Sequence, residues 1–306
     1  MANNNLTIGI PCYNCKKTLE KTLNSINSQT EQPYEIIFID DASTQDYEEI
    51  FEKFRNLNIR YIKLEKNIRI GAVRAKIVNE TKTKYLTMID SDDMFYSVDV
   101  VSYFKEQIKT KKFDLFFTEF IQEGPDKKLR KYENSFVGCH GKIYNLDFMK
   151  KNNINFPPLT AHEEGYVNRS FSYYNGKVLQ DEKITYFWHW NPKGITRTSD
   201  VMYKYFLDYA ESVRLNLIDH PEKNLQEPLL SIYTYYDSMY KKYGNNKQIQ
   251  EYKKFILENF KWSYKKMKDF ISKERSSYNI TLLKVGGKNY IPHKNILKFL
   301  KENEVE

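Results

Sequence analysis

Three carboxylates within four residues, Asp90-Ser-Asp-Asp93, close an apolar run that begins at Tyr85. Set side by side they repel one another unless a cation or hydrogen-bond donors offset their charge. An Asp-x-Asp pair, Asp90 and Asp92, offers oxygen to a hard divalent ion and leaves positions for substrate phosphates. The alternative is a solvated acidic turn, with Asp93 or Ser97 capping the following helix. A second pair, Asp40-Asp41, ends another apolar run, and acids on neighbouring strand ends favour the metal reading. His162-Glu163-Glu164 opens a further helical pattern. Acids there suit the helix macrodipole, while a carboxylate near a metal–diphosphate site also serves as a general base. Spacing alone leaves both open.

Cys12-x-x-Cys15 has the spacing of a redox pair or of half a zinc site. A structural zinc site takes four N/S ligands, and the remaining candidates, Cys139 and His140, are adjacent in the chain. Neither metal nor redox use is the expectation. With three cysteines in all, a disulfide framework is not expected either.

These residues sit at the ends of apolar runs that alternate with helical patterns. Leu6–Pro11 reads as a strand and Lys16–Gln29 as a helix, with Leu19, Leu23 and Ile26 at helical spacing. Strand "YEIIFIDD", helix Asp46–Phe54, strand "NIRYIKL", helix Gly71–Glu80 and strand "KYLTMIDSDD" follow, then helix Val98–Lys109 and strand "FDLFFTEFI". Alternation of this kind implies parallel strands joined by right-handed crossovers. Ligands of such sheets lie beyond the carboxyl ends of the strands, where Cys12–Asn14, Asp40–Asp41 and Asp90–Asp93 stand. From about Val201 the strand signals fade into Tyr- and Lys-rich helical segments. A break near Asn191–Asp200, with Pro192 and Gly194, sets a boundary between residues 1–197 and 198–306.

The chain has 306 residues, 41% of them apolar and 15% aromatic, enough for a substantial core. The 25 tyrosines suit an amphipathic surface or an acceptor groove as well as an interior. No apolar run approaches a membrane span and no signal-like leader opens the chain, so a soluble, cytoplasmic protein is expected. The net charge of +8 favours anionic partners only as a tie-breaker.

"TIGIPCYNCKKTLEKTLNSINSQT", "YEIIFIDDAST" and "KYLTMIDSDDMF" resemble, in order and spacing, the family 2 glycosyltransferases of GT-A fold. "CHGKIYNLDFMKKNNINFPP" and "AHEEGYVNRSF" are similar to further segments of that family, so the likeness spans about residues 6–197. It implies a GT-A, Rossmann-like α/β fold: a mostly parallel sheet flanked by helices, with a nucleotide-sugar-binding catalytic domain over 1–197 and a helical, acceptor-side region over 198–306. It also implies an inverting transfer from a nucleotide sugar, a UDP-sugar, assisted by Mn²⁺ or Mg²⁺.

Carried over residue by residue, Pro11, Tyr13 and Asn14 resemble the first nucleotide-binding turn, in which the cysteines are incidental. Asp41 resembles the acid that accepts from the base N3–H, which favours uracil or thymine and disfavours cytosine. Arg74 resembles the basic residue that neutralises the diphosphate, although the family's Asn-x-Gly-x-x-x-Ala-Arg-Asn reads "NIRIGAVRAKIVN" here. Ser91 and Asp92 fall in the donor-binding Asp-x-Asp, with Asp90 and Asp92 as metal ligands. His189 stands where some relatives place a further metal or phosphate contact. Glu164 stands where the family has its catalytic Asp, with Glu163 beside it. Two acceptors remain: a glycan or lipid-linked saccharide, and a hydroxymethylated base in DNA, whose phosphates the Lys/Arg-rich tail, including Lys265 and Lys266, would contact. A non-catalytic binding module on a relic transferase fold is disfavoured by the clustered carboxylates, which such a relic has no reason to tolerate.

Overall fold

The structure, a computed structural model, describes residues 5–133, 138–192, 194, 202–221, 223, 231–232, 235–236, 239–240, 244, 246–260, 283–285 and 288–290. The chain divides into two compact units, Met1–Arg197 and Thr198–Glu306.

The first unit is built on a nine-stranded mixed sheet. Its strands are β1 (Leu6–Cys12), β2 (Glu35–Asp40), β3 (Ile59–Lys63), β4 (Tyr85–Met88), β5 (Met94–Phe95), β6 (Leu115–Glu123), β7 (Leu129–Tyr132), β8 (Lys142–Asn145) and β9 (Val178–Trp188). They lie in the order β3-β2-β1-β4-β8-β6-β9-β5, with β7 paired to β6. The helices are α1 (Lys16–Asn27), α2 (Glu48–Lys53), α3 (Arg69–Glu80), α4 (Val100–Thr110), α5 (Leu146–Lys151) and α6 (Glu163–Tyr173).

The apolar runs of β1 and β2 are continuous because both faces of the sheet are covered. In β2, Ile36 and Phe38 point into a core with Leu19, Leu23, Ile50 and Phe104 of α1, α2 and α4. Ile37 and Ile39 point the other way, into a core with Val73, Ile77, Met149 and Phe171 of α3, α5 and α6. Gly9 of β1 lets α3 pack closely, since a Cβ there would stand 2.5 Å from Ile77 Cγ2.

The expected parallel pairing holds for β1 with β2 and β4, and for β2 with β3. Beyond β4 the sheet turns mixed: β8 runs antiparallel to both β4 and β6, while β9 is parallel to β6. The strand order reverses direction at β1/β4, the point at which ligands of such sheets bind outside the carboxyl ends of the strands.

The second unit contains α7 (Met202–Asp219), α8 (Lys247–Phe260) and a small antiparallel pair, β10 (Leu283–Val285) with β11 (Lys288–Tyr290). Phe206 stacks on Tyr235 at 4.4 Å between ring centroids, and Ile249, Tyr252, Ile256 and Phe260 of α8 are buried. Tyr205, Tyr236 and Tyr252 serve an interior, while Tyr240 is exposed. Lys265 and Lys266 lie outside the described residues. Among the described residues no helix is long and apolar enough to cross a membrane.

Candidate functional site

The turn after β1 is knitted to the loop after β2. Asn14, in the left-handed region at φ 52°, donates its N–H to Ser43 Oγ at 2.8 Å and accepts from the Thr44 N–H at 3.1 Å. The Cys15 N–H donates to Tyr47 Oη at 3.1 Å and the Lys16 N–H to Gln45 Oε1 at 2.9 Å. Pro11 lies within β1 opposite Ile39, and Tyr13 stands 56% exposed at the tip of the turn. Cys12 and Cys15, expected to be incidental, are joined by a disulfide across this turn, so the pair braces the residues likened to a nucleotide-binding turn.

Asp40 and Asp41 are both buried and both partnered. Asp40 accepts from the Ser43 N–H at 2.8 Å and from the Tyr61 hydroxyl at 3.0 Å. Asp41 accepts from the backbone N–H of Ile68 at 2.7 Å and of Arg69 at 3.0 Å, the two residues that open α3. Burial pushes the Asp41 carboxyl up and those two donors pull it back. This is helix capping from a distant strand end, and it starts α3 two residues earlier than its periodicity predicts. Gly71 then approaches the 157–159 segment so closely that a Cβ would stand 2.0 Å from the Pro157 carbonyl oxygen.

At the end of β4, Asp90 accepts from Arg74 Nη2 at 2.7 Å, and its N–H donates to the Tyr186 hydroxyl at 3.1 Å. Ser91 is half-buried. Asp92 accepts from the Asn191 side chain at 2.8 Å. Asp93 is 1% exposed and accepts from the Tyr186 hydroxyl at 2.6 Å and the His189 N–H at 2.8 Å. Burial and then the neighbouring carboxylates push Asp92 up and Asp93 well up. Burial works most strongly on Asp90 too, but the Arg74 charge, the His140 charge and the Arg74 hydrogen bond together outweigh it and hold Asp90 below its usual range.

Among the described residues, Asp90, Asp93 and His140 bring ligand atoms within 4.8 Å of one another. Burial holds His140 down to about 4, so near neutral pH its imidazole has a free lone pair to offer a cation. A set of two carboxylates and a neutral imidazole fits a divalent ion such as Mn²⁺. Asp92 and His189, expected beside Asp90, lie outside this grouping. The His189 ring instead faces Glu123, with Nδ1 at 2.7 Å from Oε2. Asp93 and His140 are the members sequence reasoning missed. His140 carried a signal, since it opens the "CHGKIY" segment, but nothing local tied it to residues 50 positions away.

The third component is α6, whose first turn carries Glu163 and Glu164. Glu163 is 1% exposed and takes a hydrogen bond from Arg74 Nη1, and Glu164 Oε2 lies 3.9 Å from the same nitrogen. Burial, then the Glu164 charge, pushes Glu163 well up. Burial also works to raise Glu164, but Arg74 and then His162 outweigh it and hold it below its usual range. The adjacent glutamates are thereby pushed apart, Glu163 towards its neutral form and Glu164 towards its ionised one, the pattern by which two carboxyls take different roles.

A family model described as glycosyl transferase family 2 matches residues 7–173. Over 114 residues the chain is 36% identical to a processive diacylglycerol beta-glycosyltransferase of Mycoplasma genitalium, covering 36% of this chain and 33% of the relative. It is 26% identical over 196 residues to the poly(ribitol-phosphate) beta-N-acetylglucosaminyltransferase TarS of Staphylococcus aureus, covering 58% of this chain and 34% of the relative. The chain thus spans about a third of the length of these curated relatives. The solved structure of S. aureus TarS 1-349 in complex with UDP-GlcNAc superposes with TM-score 0.64 at 18% identity, covering 94% of this chain and 96% of that one. The fold is the GT-A fold of those structures.

Proposed function

The chain belongs to glycosyl transferase family 2, and on that premise we propose that it is an inverting, metal-dependent glycosyltransferase moving a sugar from a UDP-sugar to a hydroxyl of a glycan or lipid-linked saccharide. The observation that carries this reading is the meeting of Glu164, Glu163 and Asp90, the first acid of the Asp90–Asp93 cluster, around one guanidinium, Arg74, at the end of β4.

Glu164, ionised at neutral pH, is the group to accept the proton of an acceptor hydroxyl as its oxygen attacks the anomeric carbon. Attack from the face opposite the leaving diphosphate inverts the anomeric centre. Glu163, buried and pushed towards its neutral form, is the less suited base and supports its neighbour. Asp90 with Asp92, or with Asp93 and His140, would hold the divalent ion, Mn²⁺ or Mg²⁺. Bound there, the ion would neutralise charge on the diphosphate leaving group. Tyr13 and Asn14 in the braced turn, Pro11, Ser91 and Asp41 are assigned to the nucleotide. The helical second unit is assigned to acceptor selection.

A uridine donor is supported by the UDP-GlcNAc complex of the TarS structure. The metal is supported by a further solved GT-A enzyme, the mannosyltransferase PcManGT from Pyrobaculum calidifontis with GDP-Man and Mn²⁺ (TM-score 0.54, 11% identity, covering 88% of this chain and 85% of that one). A saccharide or lipid acceptor is supported by the names of the curated relatives. No specific observation favours hydroxymethylated DNA.

Incubation with a panel of nucleotide sugars and Mn²⁺, scored for released nucleoside diphosphate, tests the reading. Slow release from a UDP-sugar, abolished by EDTA, is expected. Release from guanosine donors alone would replace the donor, and release untouched by EDTA would remove the metal. In the same assay with acceptor, Glu164→Gln should abolish transfer while donor binding persists.

A further inference from the structure

We propose that Arg74 is a positioning residue that ties the Asp90 loop to the first turn of α6 and thereby sets the place of the base Glu164 relative to the donor. The inference rests on the functional reading above. It departs from the diphosphate-binding role that the sequence resemblance implies for this arginine.

Arg74 is 7% exposed, and both of its terminal nitrogens are already engaged. Nη2 donates to Asp90 Oδ1 at 2.7 Å, while Nη1 donates to Glu163 Oε1 and stands 3.9 Å from Glu164 Oε2. The carboxylates come from two separate segments, at sequence separations of 16 and 89 residues. A phosphate oxygen taking the place of either carboxylate would leave it buried without its partner, which is strongly disfavoured. The one guanidinium nitrogen without a partner, Nε, is itself buried away from any approach.

The arginine is itself anchored. Asp41 holds the first N–H groups of α3, and the Gly71 N–H donates to the Leu159 carbonyl at 3.0 Å. Its guanidinium therefore reaches both segments from a fixed point. A planar fork can hold two carboxylates at once from different sides, whereas an ammonium is a point charge on a flexible stem. Without the fork, Glu163 and Glu164 face each other with no shared cation, and the helix turn that carries the base loses its tie to the donor side.

The test compares Arg74→Lys and Arg74→Gln in the full chain. Steady-state kinetics should show kcat down about 10–100-fold, with donor KM and the calorimetric Kd for UDP within about threefold, Lys being the milder change. A rise in KM and in the UDP Kd with kcat intact would overturn the proposal in favour of phosphate contact. Unchanged kcat and KM would overturn it outright.

Hydrogen exchange needs no substrate, so it separates this inference from the functional reading. In Arg74→Lys the amides of Asp93, bonded to the Asp90 carbonyl at 3.0 Å, and of Gly165, bonded to the His162 carbonyl at 3.1 Å, should lose protection together. Amides of β1 and β2 should not change. Loss at only one of the two segments, or at neither, would overturn the tie whether or not a donor has been found. If either single variant fails to fold, Arg74→Met combined with Glu163→Met removes both partners of the buried pair together. Its Asp93 and Gly165 amides should still lose protection, and retained protection would overturn the proposal.

Discussion

Two strand ends in this protein carry clustered aspartates, and their fates differ. At the end of β2, Asp40 and Asp41 each accept two hydrogen bonds from fixed donors: the Ser43 N–H and Tyr61 hydroxyl for one, the first amides of α3 for the other. They hold loops and a helix in place. At the end of β4, three carboxylates crowd into four residues. One shares Arg74 with two glutamates, and burial with mutual repulsion pushes the other two up. The same residue type builds structure where the donors suffice. At the β4 end Asp93 also accepts two hydrogen bonds, yet burial and two neighbouring carboxylates outweigh them and leave negative charge for a cation or a proton to offset.

The sharpest way to break this contrast is Asp92→Asn. If the β4 end holds the metal for catalysis, turnover should fall by at least ~10²-fold, about 3 kcal/mol of barrier. The melting temperature should stay level or rise, because one repelling charge is gone. Near wild-type turnover, measured as nucleoside diphosphate release, would take Asp92 out of the metal site and leave the ion to Asp90, Asp93 and His140.

Much of this contrast was legible in the chain, and part was not. The strands β1, β2 and β4 and their polar ends follow from apolar runs broken by Asp and Asn, because a strand buried on both faces has no other pattern to offer. The partners of those polar ends were hidden. Asp41 caps a helix 27 residues on, and Arg74 meets Glu163 across 89 residues. Such contacts depend on which strands become neighbours, and local periodicity carries no record of that. The antiparallel insertion of β8 was missed for the same reason. Its four residues, Lys142–Asn145, are all buried, and one of them is a lysine that polarity assigns to the surface.

That lysine sharpens the comparison through pH. Burial holds Lys142 down to about 8, with its Nζ 4.8 Å from the Phe117 ring centroid. A folded pKa below the unfolded value of about 10.4 means that the unfolded chain binds more protons between those pH values. Stability then rises with pH across that window, and the cost of the buried ammonium is fully present below pH 8. Lys142→Met should therefore be more stable than the parent below pH 8 by about 3 kcal/mol, with the gap closing towards pH 10.4. Denaturant melts at a series of pH values check this. A gap independent of pH would show that packing, not charge, sets it.

On the β2 side the expected loss is of stability. Asp41→Asn replaces a carboxylate that accepts two backbone N–H bonds with an amide whose nitrogen faces one of them. The cost should be about 2 kcal/mol in the absence of any ligand. A thermal melt without nucleotide measures it. Unchanged stability with a raised KM for UDP-sugars would instead assign Asp41 to base recognition alone.

The smallest effect is expected at the disulfide of Cys12 with Cys15, which belongs to the braced side of the comparison. Bridging so short a loop removes little unfolded-state freedom, below about 2 kcal/mol on the chain-entropy account. The same turn is also held by Ser43, Thr44, Gln45 and Tyr47. Cys12→Ser with Cys15→Ser should therefore keep turnover within a few-fold, release no zinc, and lose no more stability than the parent loses on adding a thiol reductant. Agreement between reduction and substitution would show that the bond, not the sulfur, matters here. Stoichiometric zinc in the parent that disappears in the double variant would mean that the turn is a metal site, and the β1 rim would then join the β4 end rather than the β2 end.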